Sequence, residues 1–224
     1  MPCRRAGVRA GARTSVGHVE QGARIVLARH GESGANLVGE FSNRGTKHPL
    51  TDLGRAQAEA LAERLVDDGG ADRVLTSPIL RARQTATIVG ERLGVPVEVD
   101  ERLREFDVGA FEGSREAAHW AEYDDVVTAW LEHGEADRRV GGGESHRELC
   151  VRLADVVHEA ATMPGTTVLV GHGGLFGCGL PLVLDGVPVA WALDHPLDPT
   201  STVEAEVRGD RIVCTRWAGE VPPA

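Results

Sequence analysis

Twice in this chain a compact run of β-prone residues stops at a histidine followed by glycine: RIVLARHGES, from Arg24, and TTVLVGHGG, from Thr166. Each run is short and rich in Val, Ile and Leu, which predicts a central strand. A strand of that kind needs cover on both faces, and the segments between the two runs supply it. LTDLGRAQAEALAERLVDDGG predicts a helix with Thr51 as N-cap, Ala56, Ala60, Leu61 and Leu65 on one face, and a stop at Gly69 and Gly70. ILRARQTATIVGERLG predicts a second, closed by Gly94. Between Glu116 and Glu135, Trp120, Tyr123, Val127, Trp130 and Leu131 recur at helical spacing. After GGGES, Leu149, Leu153, Val156, Val157 and Ala160 share one side of a further helix. DRVLTSP reads as another strand, TVEAEVRGDRIVCTRW as a hairpin turning at Arg208, Gly209 and Asp210, and the stretch after His30 through EFSNRGTKHP as a polar loop. Strands alternating with helices predict an α/β fold with helices on both faces of one sheet.

The 224 residues suit one domain, taken as 24–224, with residues 1–23 as a disordered extension. That arginine-bearing extension has no apolar core of a secretory signal, and no stretch approaches the ~20 apolar residues of a membrane span. A net charge of −10 argues against nucleic acid as a partner, because a phosphate backbone is repelled over most of such a surface. An anionic ligand then needs a local cationic pocket. The four cysteines, Cys3, Cys150, Cys178 and Cys214, show no CxxC spacing, so reduced thiols in a cytoplasmic protein are expected.

In open α/β sheets ligands gather at the carboxyl ends of strands, which gives His30 and His172 a topological reason to meet. A single strand-end histidine is commonly structural; two in the same context, with arginines nearby, favour chemistry. Arg81, at the start of its helix, is the pocket candidate, whereas Arg83 points elsewhere and is expected in ion pairs. Glu32 is expected to pair with a pocket arginine or cap a loop, and Glu144 to order a turn before the helix capped by Ser145. His18, His48, His119, His133, His146, His158 and His195 lack metal-ligand spacing and are expected in surface or satisfied polar roles, leaving no metal site. The Trp120 to Trp130 stripe reads first as core.

In order, RHGES with Asn36, LTDLGRAQAEAL, TSPILRARQTA, LREFDVGAFEG, GGES and VGHGG resemble the histidine phosphatase superfamily, the phosphoglycerate mutase-like branch, across roughly residues 25 to 182. The resemblance implies a three-layer α/β/α sandwich on a mostly parallel sheet. It also implies that His30 is the nucleophile, Arg29 and Arg81 clamp phosphate, His172 is the second pocket histidine, and Glu105 protonates the departing oxygen. Asn36 stands where a polar side chain often touches the phosphoryl group, and Gly173 beside His172 completes the binding set. A neutral His30 and a cationic His172 are expected, with the arginines replacing a metal cofactor.

The implied activity is hydrolysis of a small phosphomonoester through a phosphohistidine. The related mutases carry a long insertion between the acid-bearing and GES segments, but here Glu105 and Gly143 stand only 38 positions apart, and HGG replaces their HGN. A mutase, or an idle relative that only binds phospho-ligands, is the alternative. Where the family often shows QGW-D-PLT, this chain reads FSNRGTKHPLT, so Ser42, Asn43 and Arg44 are candidates for contacting the rest of the substrate. The segment from Ser114 to Arg139 is expected to form the opposite wall, with Trp120, Tyr123 or Trp130 inward. A monomer or a homodimer is expected.

Overall fold

A computed structural model describes residues 22–45 and 47–223. The expected extension falls almost wholly outside them, as do Cys3 and His18. Six strands form one sheet: β1 (Arg24–Arg29), β2 (Arg73–Thr76), β3 (Val97–Val99), β4 (Thr166–Gly171), β5 (Thr202–Arg208) and β6 (Arg211–Trp217). Their order is β3-β2-β4-β1-β5-β6. β1, β2, β3 and β4 run parallel, and the terminal hairpin adds β5 and β6 antiparallel at one edge.

Alternation along β1 divides the core in two. Ile25 and Leu27 face one side with Leu169, while Val26 and Ala28 face the other with Val168 and Val170. The second side is covered by α2 (Asp52–Asp67) and α3 (Leu80–Leu93), through Leu61, Ala62, Leu65, Ala82, Ala86 and Val89. The first is covered by α4 (Ala117–His133), α5 (His146–Ala161) and α6 (Gly173–Val183), whose Trp130, Leu149, Leu153, Phe176 and Leu180 are buried. This is the three-layer α/β/α arrangement on a mostly parallel sheet. Each fully buried leucine contributes roughly 1.5–3 kcal/mol relative to exposure.

Three local expectations differ from what the chain does. On α2, Ala56 and Ala60 face solvent, and the buried stripe is Gly54, Ala58, Leu61, Ala62 and Leu65. Small alanines do not discriminate between faces; Leu61 and Leu65 fix the helix. The supposed loop after His30 contains a one-turn helix, α1 (Gly34–Val38), which Ser33 and Asn36 cap reciprocally. After β4 the chain forms α6 and then α7 (Val189–Asp194), neither of which its Gly- and Pro-containing sequence announces. α6 forms because it is buried against α5: a Cβ at Gly179 would lie 2.5 Å from Leu153 Cδ2.

Candidate active site

β1 and β4 are adjacent and parallel, with Arg29 in register with Gly171, so both strands deliver their histidines to the same sheet edge. The rings of His30 and His172 lie 5.1 Å apart in an edge-to-face arrangement, and both are buried. Gly31 allows this placement. Its backbone abuts that of Gly54 at the start of α2, where a Cβ on either glycine would collide with main-chain atoms. Glu32 finishes the junction: its carboxylate accepts from the Thr51 hydroxyl at 2.8 Å, the loop-capping role rather than an arginine pair.

Two hydrogen bonds set the His30 tautomer. Nδ1–H donates to the Gly31 carbonyl (2.7 Å), and Nε2 accepts from Arg81 Nε (2.9 Å), so the Nε2 lone pair faces the guanidinium. Burial, then Arg81, holds the His30 pKa well below its ordinary value. Arg81 also donates to His172 Nδ1 (3.2 Å) and to the Ser42 carbonyl (2.7 Å), while His172 Nε2–H donates to Ser77 Oγ (2.7 Å). Burial and Arg81 depress His172 as well. The hydrogen bonds leave Nδ1 of His172 as an acceptor toward Arg81, and burial first, then the Arg81 charge, works against the cationic form expected of this ring. Arg81 itself falls to about 10, chiefly through burial, and stays charged at neutral pH. Arg83, two residues on and so on the opposite face of α3, is exposed and, against expectation, makes no ion pair among the described residues.

Arg29 leaves β1 and anchors Nη1 on the Leu197 carbonyl (2.5 Å). Its Nε is a buried donor with no partner among the described residues, beside Gly173 at the start of α6. Glu105 enters from the loop after β3. Its two oxygens accept from the N–H groups of Phe106 (3.0 Å) and Gly174 (2.9 Å), yet burial outweighs those bonds and raises its pKa. A Cβ on Gly174 would sit 2.8 Å from Phe106 Cε1 and 2.9 Å from both carboxylate oxygens, so glycine at that position makes room for the acid and for the neighbouring ring. Glu144, by contrast, is a buried partner of Arg152 (2.6 Å), and Ser145 caps α5 as expected.

The site opens on a cavity of ≈ 440 Å³, whose lining does not include the fully buried His172. Arg29, His30, Arg81, Glu105, Gly173, Asn36, Ser42 and Asn43 all line it. Asn36 spends its side-chain carbonyl on Ser33, and Asn43 spends its amide on the Phe106 carbonyl (2.7 Å), so both are partly committed to the fold. Arg44 is not brought to the cavity: its guanidinium turns outward to Asp107, at 2.5 Å. Trp120 and Tyr123 form part of the wall, whereas Trp130 lies in the core against Phe106 and His146. Ser77, Gly174 and the Leu197 carbonyl escape a reading of the sequence. Ser77 stands in the quoted TSP segment, but nothing in the letters says that it meets His172.

Among the described residues no helix is long and apolar enough to cross a membrane. Comparison with known proteins bears on the arrangement directly. The family profile for the histidine phosphatase superfamily (branch 1) matches residues 25–219. A protein of Proteus mirabilis named "Probable phosphoglycerate mutase GpmB" is 34% identical over 166 residues, covering 73% of this chain and 75% of that one. The structure of a mycobacterial glucosyl-3-phosphoglycerate phosphatase complexed with VO3 superposes with a TM-score of 0.75 at 29% identity, over 88% of this chain and 100% of the other. An Entamoeba histolytica phosphoserine phosphatase, at 23% identity and a TM-score of 0.71, shares the fold over 87% of this chain and 96% of its own. With its ordered motifs, its paired strand-end histidines and a profile match spanning most of its length, the chain belongs to the histidine phosphatase superfamily, branch 1.

Proposed function

We propose that the protein is a metal-independent phosphomonoesterase that hydrolyses a small phosphorylated metabolite through a phosphohistidine on His30. The observation that carries this reading is the His30 tautomer, with an unprotonated Nε2 beside Arg81 and Nδ1–H held by a carbonyl. Nε2 attacks phosphorus, the P–O bond to the alcohol breaks, and Glu105 in its acid form gives its proton to the departing oxygen. The phosphorylated imidazole is cationic, and the Gly31 carbonyl stabilises its remaining N–H. Water then attacks phosphorus, its proton passes to the Glu105 carboxylate, the P–N bond breaks, and phosphate leaves with His30 neutral again.

Arg29 and Arg81 supply the positive charge for the three equatorial oxygens, and the orphan Arg29 Nε–H is a donor suited to one of them. The start of α6 adds the partial charge of a helix N-terminus. Hydrolysis rather than transfer is supported by the short span between Glu105 and Gly143, which is occupied by α4 instead of a closing insertion. The mutase reading keeps one point in its favour, the name of the Proteus relative.

The test is phosphate release from a panel of phosphomonoesters with chelator present, alongside 3-phosphoglycerate plus a bisphosphoglycerate primer to detect transfer. Release at an undiminished rate in chelator supports the reading; isomerisation outpacing release favours the mutase. Within the same panel, Glu105→Gln is expected to slow alkyl esters by ~10²–10⁴-fold and activated aryl esters far less, since the latter need little protonation. Equal losses on both would remove Glu105 from the acid role.

Gly174→Ala offers a finer probe. Alanine favours a helix by up to about 1 kcal/mol over glycine, which offsets part of the cost of crowding the buried Phe106 ring, so thermal unfolding is measured alongside. Its methyl group displaces the Glu105 carboxylate, and kcat on alkyl esters is expected to fall roughly 10- to 100-fold. In a Glu105→Gln background the same change is expected to add less than about threefold. Full additivity in that double-mutant cycle would show that Gly174 acts independently of Glu105.

A further inference from the structure

Beyond the phosphate end, the cavity changes character. Along α4, Trp120, Tyr123, Val127 and Leu131 present one continuous stripe at spacings of three and four residues, and all four line the cavity. At a rise of 1.5 Å per residue, Trp120 to Leu131 spans about 16 Å of wall. Gly177, Cys178 and Leu193 line the same space, and Leu197, whose carbonyl holds Arg29, adjoins the phosphate end.

The positive charge is confined to one end. Among the described residues lining the cavity, Arg29 and Arg81 are the only cationic side chains, and both stand beside His30. Cations elsewhere near the mouth are engaged: Lys47 and Arg115 bind Glu40, whose pKa falls to about 2, and Arg44 binds Asp107. A substrate carboxylate lodged along α4 would be desolvated without a partner, an arrangement that costs several kcal/mol. The Tyr123 hydroxyl, which burial keeps protonated, stands within electrostatic reach of Glu105 and Arg29 and so marks the boundary between the phosphate end and the apolar wall. A neutral, predominantly apolar group satisfies such a wall; a second anion does not.

Resting on the phosphatase reading above, we infer that the part of the cavity formed by Val127 and Leu131, past Tyr123 along α4, receives an uncharged, predominantly apolar alcohol portion. The substrate class is then a phosphomonoester of a neutral apolar alcohol rather than of a hydroxy acid. Val127 and Leu131 are the specificity-determining positions.

The test compares kcat/KM for ethyl, butyl and hexyl phosphate with that for 3-phosphoglycerate. Alkyl esters share nearly equal leaving groups, so a trend among them reports binding along the wall. The value is expected to rise about threefold per methylene, and 3-phosphoglycerate to fall at least about tenfold below hexyl phosphate. Leu131→Asp is expected to lower the hexyl-to-ethyl ratio about tenfold, and Val127→Thr, which keeps the side-chain shape, about threefold. Because both measures are ratios within one preparation, partial loss of folded protein does not mimic them. A flat alkyl series, a 3-phosphoglycerate value above that for hexyl phosphate, or ratios untouched by both variants would overturn the inference while leaving the phosphatase reading intact. No turnover of any ester would overturn both.

Discussion

His30→Ala is expected to lower kcat at least about 10³-fold on every ester, a loss of roughly 4 kcal/mol of transition-state stabilisation. Both imidazoles turn a lone pair to Arg81, but among the described residues it is His30 that lines the cavity, and His172, with its two nitrogens committed to Arg81 and Ser77, does not replace it. The variant is expected to fold. Its thermal unfolding near neutral pH should stay close to that of the parent, and at lower pH it should be relatively more stable. The sign follows from the buried neutral ring: a histidine whose folded pKa is depressed contributes stability that is lost as pH falls below the unfolded value of about 6.5. Removing it removes one source of acid destabilisation. Residual turnover well above a thousandth of the parent rate would assign the nucleophile elsewhere.

Arg81→Met is expected to have the second largest effect, a loss of about 10³-fold in kcat/KM. A single preorganised donor to a developing anion is commonly worth ~10²–10³-fold, and this side chain carries a full charge and orients two imidazoles as well. Lysine is expected to rescue little, because a point charge on a flexible stem cannot reach His30, His172 and the Ser42 carbonyl together. The change has a distinct pH signature. Arg81 lowers both histidine pKa values, so its removal lets them rise, and the acid limb of kcat/KM is expected to move to higher pH. By the same linkage the variant should lose less stability than the parent between pH 7 and pH 5. An unmoved acid limb would contradict the coupling between Arg81 and His30.

Much of this site is legible in the sequence because its reactive side chains sit in short local contexts. A strand that runs into His-Gly announces both its own end and the direction in which its ring is delivered, and the parallel pairing of β1 with β4 brings two such ends together. Arg81 is readable for a similar reason, at the second position of α3. What the letters do not carry is backbone. The carbonyls of Gly31, Ser42 and Leu197 orient His30, Arg81 and Arg29, and any residue at those positions would offer the same oxygen. Gly174 is a further case, since its role is the space that it leaves for Glu105.

Protonation is equally hidden. His172 looks like the natural cation from its place in the motif, but burial first, and then a charge delivered from another helix, works against that form. In the fold, α6 escapes a reading based on propensity because Gly173, Gly174 and Gly179 are sites of close approach, where tertiary packing outweighs their cost to the helix. Arg44 shows the converse failure: a promising cation in a variable loop finds a nearer partner in Asp107 and turns from the cavity. The apolar stripe on α4 follows the helical period in the sequence, but only the fold reveals which of its members meet the core and which meet the cavity.

The most direct measurement is a rapid base-quench of the protein during turnover of a phosphate-labelled ester, followed by location of the label in the chain. The label is expected on the peptide containing His30, stable to base and lost in acid, and absent from His30→Ala. Label on any other residue, or none trapped under conditions where phosphate is being released, would contradict a covalent path through His30.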